Sequence, residues 1–219
     1  MAKLVWDQTG ERLYENGVRN VVLYPQASDG TYPKGVAWNG ITSFSQNPTG
    51  AEPNPLYADD IKYLNLISAE ELEGSIEAYM YPPEFAKCNG EVEFAKGAYI
   101  GQQARIPFGA CYRTILGNDT QLEGYGYKLH LIYGATVTPS ERTYETINDS
   151  PDAMTMSWDY STTPVNVNGH KPTASLEINS TLCDSTKLKA LEGILYGSET
   201  AEARLPLPDE VFTLLGAAE

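Results

Sequence analysis

The sequence predicts a mainly β protein: a β-sandwich of two packed sheets with one flanking α-helix and a long loop or hairpin arm. Short runs of aliphatic, threonine and aromatic residues alternate with polar ones, as half-buried strands do. The 219 residues include 19 glycines and 14 prolines, which interrupt the chain often. Only one segment shows clear helical periodicity. Because hydrophobic residues make up 42% of the chain, we expect a single domain, 1–219, with one large core.

Seven of the predicted strands are short alternating or apolar runs bounded by glycine, proline and turn residues. They are GVRNVVLYP (17–25), GVAWNGITSFSQ (35–46), IKYLNLIS (61–68), IPFGACYRTILG (106–117), GYKLHLIYGATVTP (126–139), MTMSWDYSTTPV (154–165) and KPTASLEINST (171–181). The turn-rich NDTQLEGYG between the fourth and fifth runs predicts that they form an antiparallel pair. A last short strand is expected at Val211–Leu215.

The clear helix lies in DSTKLKALEGILYG, over residues 185–196. Asp184 or Ser185 is expected to cap it, and Gly197 to end it. Leu188, Leu191 and Leu195 share one face, while the other face is polar, so the helix is expected to cover a sheet. PPEFAKCNG predicts one further helical turn that begins at a proline.

The stretch EELEGSIEAYMYP (70–82) fits two structures. As a helix it is rich in helix formers, and Leu72, Ile76 and Met80 recur every fourth residue. As a strand it divides into two faces: Leu72, Gly74, Ile76, Ala78 and Met80 against Glu71, Glu73, Ser75, Glu77 and Tyr79. The neighbouring strands and the terminating Pro82-Pro83 favour the strand, which places a row of carboxylates on one face of a sheet.

NPTGAEPNPLYADD (47–60) is predicted to be an irregular arm. It contains three prolines, one glycine and three acids, so it suits neither a helix nor a central strand. It is also longer than most connections in compact domains, and ordered loops of this length usually have a function.

The formal net charge is −14, spread along the chain, and a field of this sign repels the DNA backbone. Tight nucleic-acid binding is therefore not expected, although the sign suits a passage that DNA crosses without adhering. The start MAKLVWDQTG lacks an apolar run of signal-peptide length, and no run is long enough for a membrane span. These features predict a cytosolic protein.

Catalytic motifs are absent from the sequence, so we expect no enzyme activity and no cofactor. His130 is expected on a strand and His170 in a turn, and Glu73 and Glu77 would stand about 13 Å apart along a strand, too far for a glycosidase pair. Cys88, Cys111 and Cys183 are interpreted as reduced, buried thiols. Asp59-Asp60 and NDSPD (148–152) lack EF-hand spacing and are better explained as turns than as calcium ligands. No metal is expected.

Much of the chain resembles a known family. The resemblance runs from about Trp6 to Val211 and is carried by WDQTGERLYENGV, GVAWNGITSFSQNPTGAEPNPLYADDIKYLNLISAEELEGSIEAYMYPPEFAKCNG, IGQQARIPFGACYRTILGND, GYKLHLIYGATVTPSERTYETINDSPDAMTMSWDYSTTPV, LEGILYG and LPLPDEV. These segments resemble the major tail protein, the tail-tube subunit, of long-tailed phages of Gram-positive bacteria.

The resemblance implies a sandwich of the tail-tube type that self-assembles into hexameric rings, which stack into the tube through which DNA is ejected. The implied location is the virion tail, assembled in the host cytoplasm. The implied partners are further copies of the chain and the tail terminator, baseplate or distal tail, and tape measure proteins. DNA would pass transiently and non-specifically, and no membrane is involved. A carbohydrate-binding or adhesive β-sandwich module of a phage-like particle is the alternative.

Two sets of residues are candidates within this interpretation. Pro48, Leu56, Tyr57 and Asp59 would belong to a ring-stacking arm, because apolar Leu56 and Tyr57 have little use in a merely solvated loop; the alternative is a loop packed on its own domain. Glu71, Glu73 and Glu77 would line an acidic lumen, and the alternative is that they solvate the outer surface.

Overall fold

The computed structural model describes residues 3–147 and 153–216. Its content is 45% strand and 11% helix, which confirms a mainly β fold with a flanking helix. The strands are β1 (Leu13–Pro25), β2 (Val36–Ala37), β3 (Ile41–Phe44), β4 (Asn47–Gly50), β5 (Pro53–Ala58), β6 (Ile61–Ile67), β7 (Glu70–Ala78), β8 (Val92–Ala95), β9 (Ala98–Ile100), β10 (Phe108–Asn118), β11 (Leu122–Val137), β12 (Met156–Thr162) and β13 (Ser175–Asn179). The helices are α1 (Phe85–Cys88), α2 (Ser185–Tyr196) and α3 (Pro208–Leu215).

Nine strands form one sheet in the order β2-β1-β10-β11-β12-β7-β3, with β13 also paired to β11 and β4 also paired to β7. The long strand β11 changes neighbour along its length. Its segment Lys128–Ile132 pairs with β13, whereas Ala135–Val137 pairs with β12. Gly134 lies between the two segments with φ +61°, a conformation that glycine adopts without strain. The sheet therefore turns at this point.

The two halves of this sheet face each other as the layers of a sandwich. β3 and β10 are not hydrogen-bonded neighbours, yet Phe44 stacks on Tyr112 with ring centroids 4.4 Å apart. Between the layers, Trp158 packs against Phe85 and Trp38 at centroid distances of 5.2 and 5.8 Å. The two predicted layers are thus present, but they belong to one folded sheet rather than to two separate ones.

The outer face of β1, β10 and β11 is covered by α2 and α3. Asp184 caps α2 by accepting hydrogen bonds from the amides of Thr186 and Lys187, and the predicted helix 185–196 is confirmed. Its three leucines, Leu188, Leu191 and Leu195, are buried as predicted. Two buried tyrosines of the sheet form hydrogen bonds to the helical layer. Tyr24 donates to the carbonyl oxygen of Leu195 at 2.7 Å, and Tyr133 donates to that of Pro206 at 2.9 Å.

The strand predicted at Val211–Leu215 is wrong, since these residues belong to α3. The helix begins at a proline, has Asp209 and Glu210 in its first turn, and ends at Gly216 in the left-handed conformation. All three features favour a helix. As part of the helix, Val211 is buried against the sheet.

Candidate assembly surfaces

Strand β7 has the two faces that its sequence predicts. Leu72, Ile76 and Ala78 are buried, whereas Glu71 and Glu73 are exposed and Glu77 is half-exposed. The strand interpretation of 70–82 is therefore correct over Glu70–Ala78, while Tyr79 and Met80 lie beyond the strand end. The three carboxylates stand together on the surface of the sheet that faces away from the core.

The neighbouring strands add polar groups to this surface, which we call the acidic face. Across from β7, Ser157, Asp159 and Ser161 of β12 pair with Glu77, Ser75 and Glu73. On the other side, Ser43 pairs with Glu77, Asn47 with Glu73 and Thr49 with Glu71. β3, β4, β7 and β12 contain no lysine or arginine. Among the described residues, the four carboxylates of this face take part in no ion pair within 4.0 Å; they are Glu71, Glu73, Glu77 and Asp159.

A shallow groove runs over the acidic face. Its lining includes Glu73, Ser75 and Asp159, and the buried Tyr160 lies beneath them. The hydroxyl of Tyr160 donates to the carbonyl oxygen of Ser45 at 2.8 Å, and the hydroxyls of Ser45 and Ser75 lie 2.9 Å apart. The outward side chains of β7 and β12 along this groove, Glu73, Ser75, Asp159 and Ser161, all carry hydroxyl or carboxylate groups.

The predicted arm is not irregular. Residues 47–50 form β4, an edge strand on β7, and residues 53–58 form β5, which pairs with β6 as a separate two-stranded hairpin. The hairpin β5–β6 is named the arm below. Its turn is Asp59-Asp60, with φ +50° and +61°, as a tight hairpin turn requires. Turn formation accounts for these two acids, as the sequence predicts.

The prolines of the arm are compatible with pairing because β5 lies at an edge. Pro53 and Pro55 are two residues apart, so their missing N–H groups fall on the same side of the strand, away from β6. The prediction of an irregular segment is therefore wrong here, although the segment is, as expected, not a central strand. Pro48 lies in β4 opposite Leu72, outside the arm.

The remaining arm candidates lie on the surface. Leu56 and Tyr57 are 42% and 69% exposed, and Asp59 is exposed in the turn. These side chains are therefore not packed against their own domain, as the alternative interpretation would require. β6 adds five more exposed apolar residues: Ile61, Tyr63, Leu64, Leu66 and Ile67.

A second hairpin, β8–β9, was missed by the sequence reasoning, which predicts no element between Gly90 and Ile106. It also stands apart from the main sheet and exposes Val92, Phe94, Tyr99 and Ile100. Its turn is Lys96-Gly97, and the amide of Gly97 donates to Glu93 Oε1 at 2.7 Å. The available signal was two short alternating runs, VEFA and AYI, on either side of a Lys-Gly pair.

A polar cluster lies on the inner surface of the sheet beside the aromatic core. His130 is buried, its Nε2 lies 2.9 Å from Thr114 Oγ1 and 3.3 Å from Glu15 Oε1, and Lys128 bridges Glu15 and Glu177 at 2.8 and 2.9 Å. Burial lowers the pKa of His130 despite the two carboxylates. Burial opposes ionisation of Glu15, but hydrogen bonds from Lys128 and Thr114 lower its pKa. The cluster joins side chains of four strands of the sheet, β1, β10, β11 and β13.

The three cysteines are free thiols, as interpreted from the sequence. Cys88 and Cys111 are buried, and burial raises both pKa values to about 12; Cys183 is only half-buried. The described residues contain no group of three or more histidine, cysteine or acidic side chains that could hold a metal ion. The segment 148–152, weighed as a calcium site, lies outside the described residues.

The chain matches no protein-family model and no curated protein. Within the described part of the chain, no helix is both long enough and apolar enough to cross a membrane.

Proposed function

We propose that the chain is a tail-tube subunit: a structural virion protein that assembles into hexameric rings, which stack into the tube through which phage DNA is ejected. The observation that carries the proposal is the arm, which exposes seven large apolar side chains on a two-stranded hairpin. Exposed apolar surface of this extent is a feature of contact sites between proteins. A further copy of the chain is the simplest partner that a tube requires.

The sheet edges also support self-assembly. Among the described residues, β3 and β4 form an outer edge of the main sheet, and each hairpin leaves two edges unpaired. An unpaired strand edge is a template for another strand. A ring of identical subunits removes such edges by pairing each with its neighbour, and stacked rings need the head-to-tail contacts that produce open filaments.

The acidic face suits the wall of a DNA passage. Three glutamates and Asp159 stand there without a basic side chain on the same strands. Carboxylates repel the phosphates of DNA, so a wall of this charge lets a genome slide without adhering. In this proposal Glu71, Glu73 and Glu77 face the lumen.

The proposal is tested by concentrating the purified protein and following its assembly by light scattering and negative-stain microscopy. Rings or tubes with sixfold symmetry are expected. A protein that remains monomeric at every concentration and salt condition, and forms no tube when the other tail proteins are present, would contradict the proposal. Saturable binding of a glycan by such a monomer would favour the adhesive module instead.

An arm-shortened variant tests the stacking role separately. Replacing Asn54–Leu66 with Asn-Gly keeps β4 on β7 and uses the existing hairpin base, where the amide of Glu52 donates to Ser68 Oγ at 3.2 Å. The variant is expected to fold and form rings but not long tubes. The double substitution Leu122→Ser and Leu182→Ser is the control, because these leucines are 64% and 83% exposed elsewhere on the surface. Normal tubes from the arm-shortened variant would remove the arm from the stacking contact.

A further inference from the structure

The hairpin β8–β9 is an apolar surface to which neither the sequence reasoning nor the fold gives a role. Val92, Phe94, Tyr99 and Ile100 are between 39% and 66% exposed, although α1 and the end of β1 lie nearby and line a cleft with Tyr99. Burying four such side chains inside the domain would have favoured folding. Their exposure indicates a surface that another molecule covers.

The arm cannot simply pair with the arm of another copy if the chain forms a tube. A patch that contacts its own counterpart gives a closed twofold dimer, whereas an open filament needs two different patches that fit each other. The arm therefore needs a distinct receiving surface on the next copy. β8–β9 is the other two-stranded hairpin that stands outside the main sheet within the described residues, and it too is apolar.

Charge at the two turns is complementary. The arm turns at Asp59-Asp60 and β8–β9 turns at Lys96-Gly97. Within the described residues, neither the two aspartates nor Lys96 has an ion-pair partner within 4.0 Å. Glu93, the acid nearest in sequence to Lys96, accepts the hydrogen bond from the Gly97 amide. A lysine at one turn and two carboxylates at the other favour the association of unlike hairpins over that of like ones.

The strand edges agree with the same pairing. Pro53 and Pro55 remove donors from the outer edge of β5, and prolines of this kind block the addition of another strand. The outer edge of β6, IKYLNLI, has no proline and keeps all its donors. The edge of the arm that can add a strand is consequently the β6 edge, which carries most of the exposed apolar residues.

We propose that β8–β9 of one copy receives the arm of a second copy, with the Asp59-Asp60 turn beside Lys96 and the apolar side chains of β6 against Phe94 and Tyr99. The inference rests on the proposed function, because it supplies the second half of the contact between stacked rings. It does not follow from the arm alone, which would be equally exposed if its partner were another protein.

The first test removes the apolar part of the receiving surface. Phe94→Ser combined with Tyr99→Ser is expected to raise the protein concentration needed for tube formation about tenfold or more, with an unchanged circular dichroism spectrum. The control is the pair Leu122→Ser and Leu182→Ser. If wild-type protein forms tubes and the Phe94/Tyr99 variant does so at the same concentration, the inference is wrong and the tube function stands. If wild-type protein never assembles, the proposed function itself fails.

The second test identifies the two contacting hairpins by cross-linking. In a Cys183→Ser background, one preparation carries Asp60→Cys and another carries Lys96→Cys, and both are treated with a bismaleimide under assembly conditions. Cross-linked dimers are expected when the two preparations are mixed and not in either alone. Equal cross-linking of the Asp60→Cys protein with itself would indicate contact between arms, and no cross-link in assembled mixed tubes would place the turns apart; either result overturns the inference.

The third test exchanges the charges. Lys96→Glu is expected to weaken assembly, and adding Asp59→Lys with Asp60→Lys to the same chain is expected to restore it. Lys171→Glu, at an exposed residue elsewhere on the surface, is the matched control. A triple variant no better than Lys96→Glu alone would contradict the proposed pairing of the turns.

Discussion

The imidazole of His130 lies face to face with the ring of Tyr112, with centroids 4.6 Å apart and an interplanar angle of 9°. Tyr112 stacks in turn on Phe44 of the opposite layer. A histidine at the boundary between the polar cluster and the aromatic core is thereby held in a position that favours its neutral form.

We expect this histidine to make stability depend on pH. Burial lowers the pKa of His130 below its usual value of 6.5, so the unfolded chain binds the proton more readily. Its contribution to the free energy of unfolding is therefore complete above about pH 6.5 and is lost as the pH falls towards the lower pKa of the folded state. The free energy of unfolding, measured in urea, should fall less between pH 7.5 and pH 5.5 for His130→Gln than for wild type.

The control for this prediction is His170→Gln, since His170 is exposed in a turn. The free energy of unfolding of this variant should fall between the two pH values by as much as that of wild type. Equal losses for all three proteins would show that His130 has no part in the pH dependence.

Removal of the central tryptophan should be costly. Trp158 is 1% exposed and packs against Phe85 and Trp38, so Trp158→Ala leaves a cavity and is expected to lower the free energy of unfolding by roughly 3–5 kcal/mol. Trp6→Ala, at a residue 75% exposed, should change it by less than about 0.5 kcal/mol. Urea unfolding monitored by circular dichroism measures both, and similar values for the two variants would contradict the packing described for Trp158.

The turn of the sheet at Gly134 gives a third prediction. A Cβ atom at this residue would lie 2.2 Å from the carbonyl oxygen of Thr163, whereas one at Gly169 would meet nothing within 4 Å. Both glycines have positive φ, so alanine should cost about 1–2 kcal/mol of backbone strain at either. Gly134→Ala should cost roughly 1–3 kcal/mol more because of the clash. Thermal unfolding of the two variants measures the difference, and equal costs would argue against the close approach of the Thr163 backbone.

The acidic face gives a fourth prediction, which depends on the proposed function. Glu71, Glu73 and Glu77 replaced together by lysine should leave the fold intact, because all three side chains point away from the core. If they face the lumen, genome ejection from assembled particles should slow, and less so at high salt, because each lysine adds a contact to DNA phosphate.

The matched control places the same charge change elsewhere. Glu141, Glu199 and Glu202 are exposed and lie outside the acidic face, so their replacement by lysine should leave ejection unchanged. Normal ejection from assembled Glu71/Glu73/Glu77 variants would place these acids on the outside of the tube.

Where an element is specified by its own residues, the sequence was sufficient to predict it. The alternation of Leu72, Ile76 and Ala78 with glutamates specifies a strand with one buried face, because successive side chains point to opposite sides. The helix 185–196 follows from an acidic cap, a leucine stripe and a terminal glycine. The antiparallel pairing of β10 with β11 follows from two long apolar runs with a turn between them.

Several features depended instead on residues distant in sequence. Strand β11 pairs with both β13 and β12, and one sheet forms both layers of the sandwich. Both features depend on strand partners that the periodicity of the sequence does not identify. The five residues Val211–Leu215 fit the period of a strand as well as that of a helix. The proline at the start of the helix, Pro208, and the glycine at its end, Gly216, decide for the helix. Pro53 and Pro55 indicate an interrupted segment when the sequence is taken alone, although an edge strand tolerates proline wherever the missing donor faces outward.

The candidate surfaces divide in the same way. The sequence by itself determined that Glu71, Glu73 and Glu77 share one face and that Leu56 and Tyr57 are apolar residues within a polar segment. Only the tertiary structure decided that this face lies away from the core, that the arm is a hairpin extended by β6, and that β8–β9 is a second exposed hairpin. Local patterns fix which side chains stand together on an element, whereas exposure depends on what the rest of the chain packs against it.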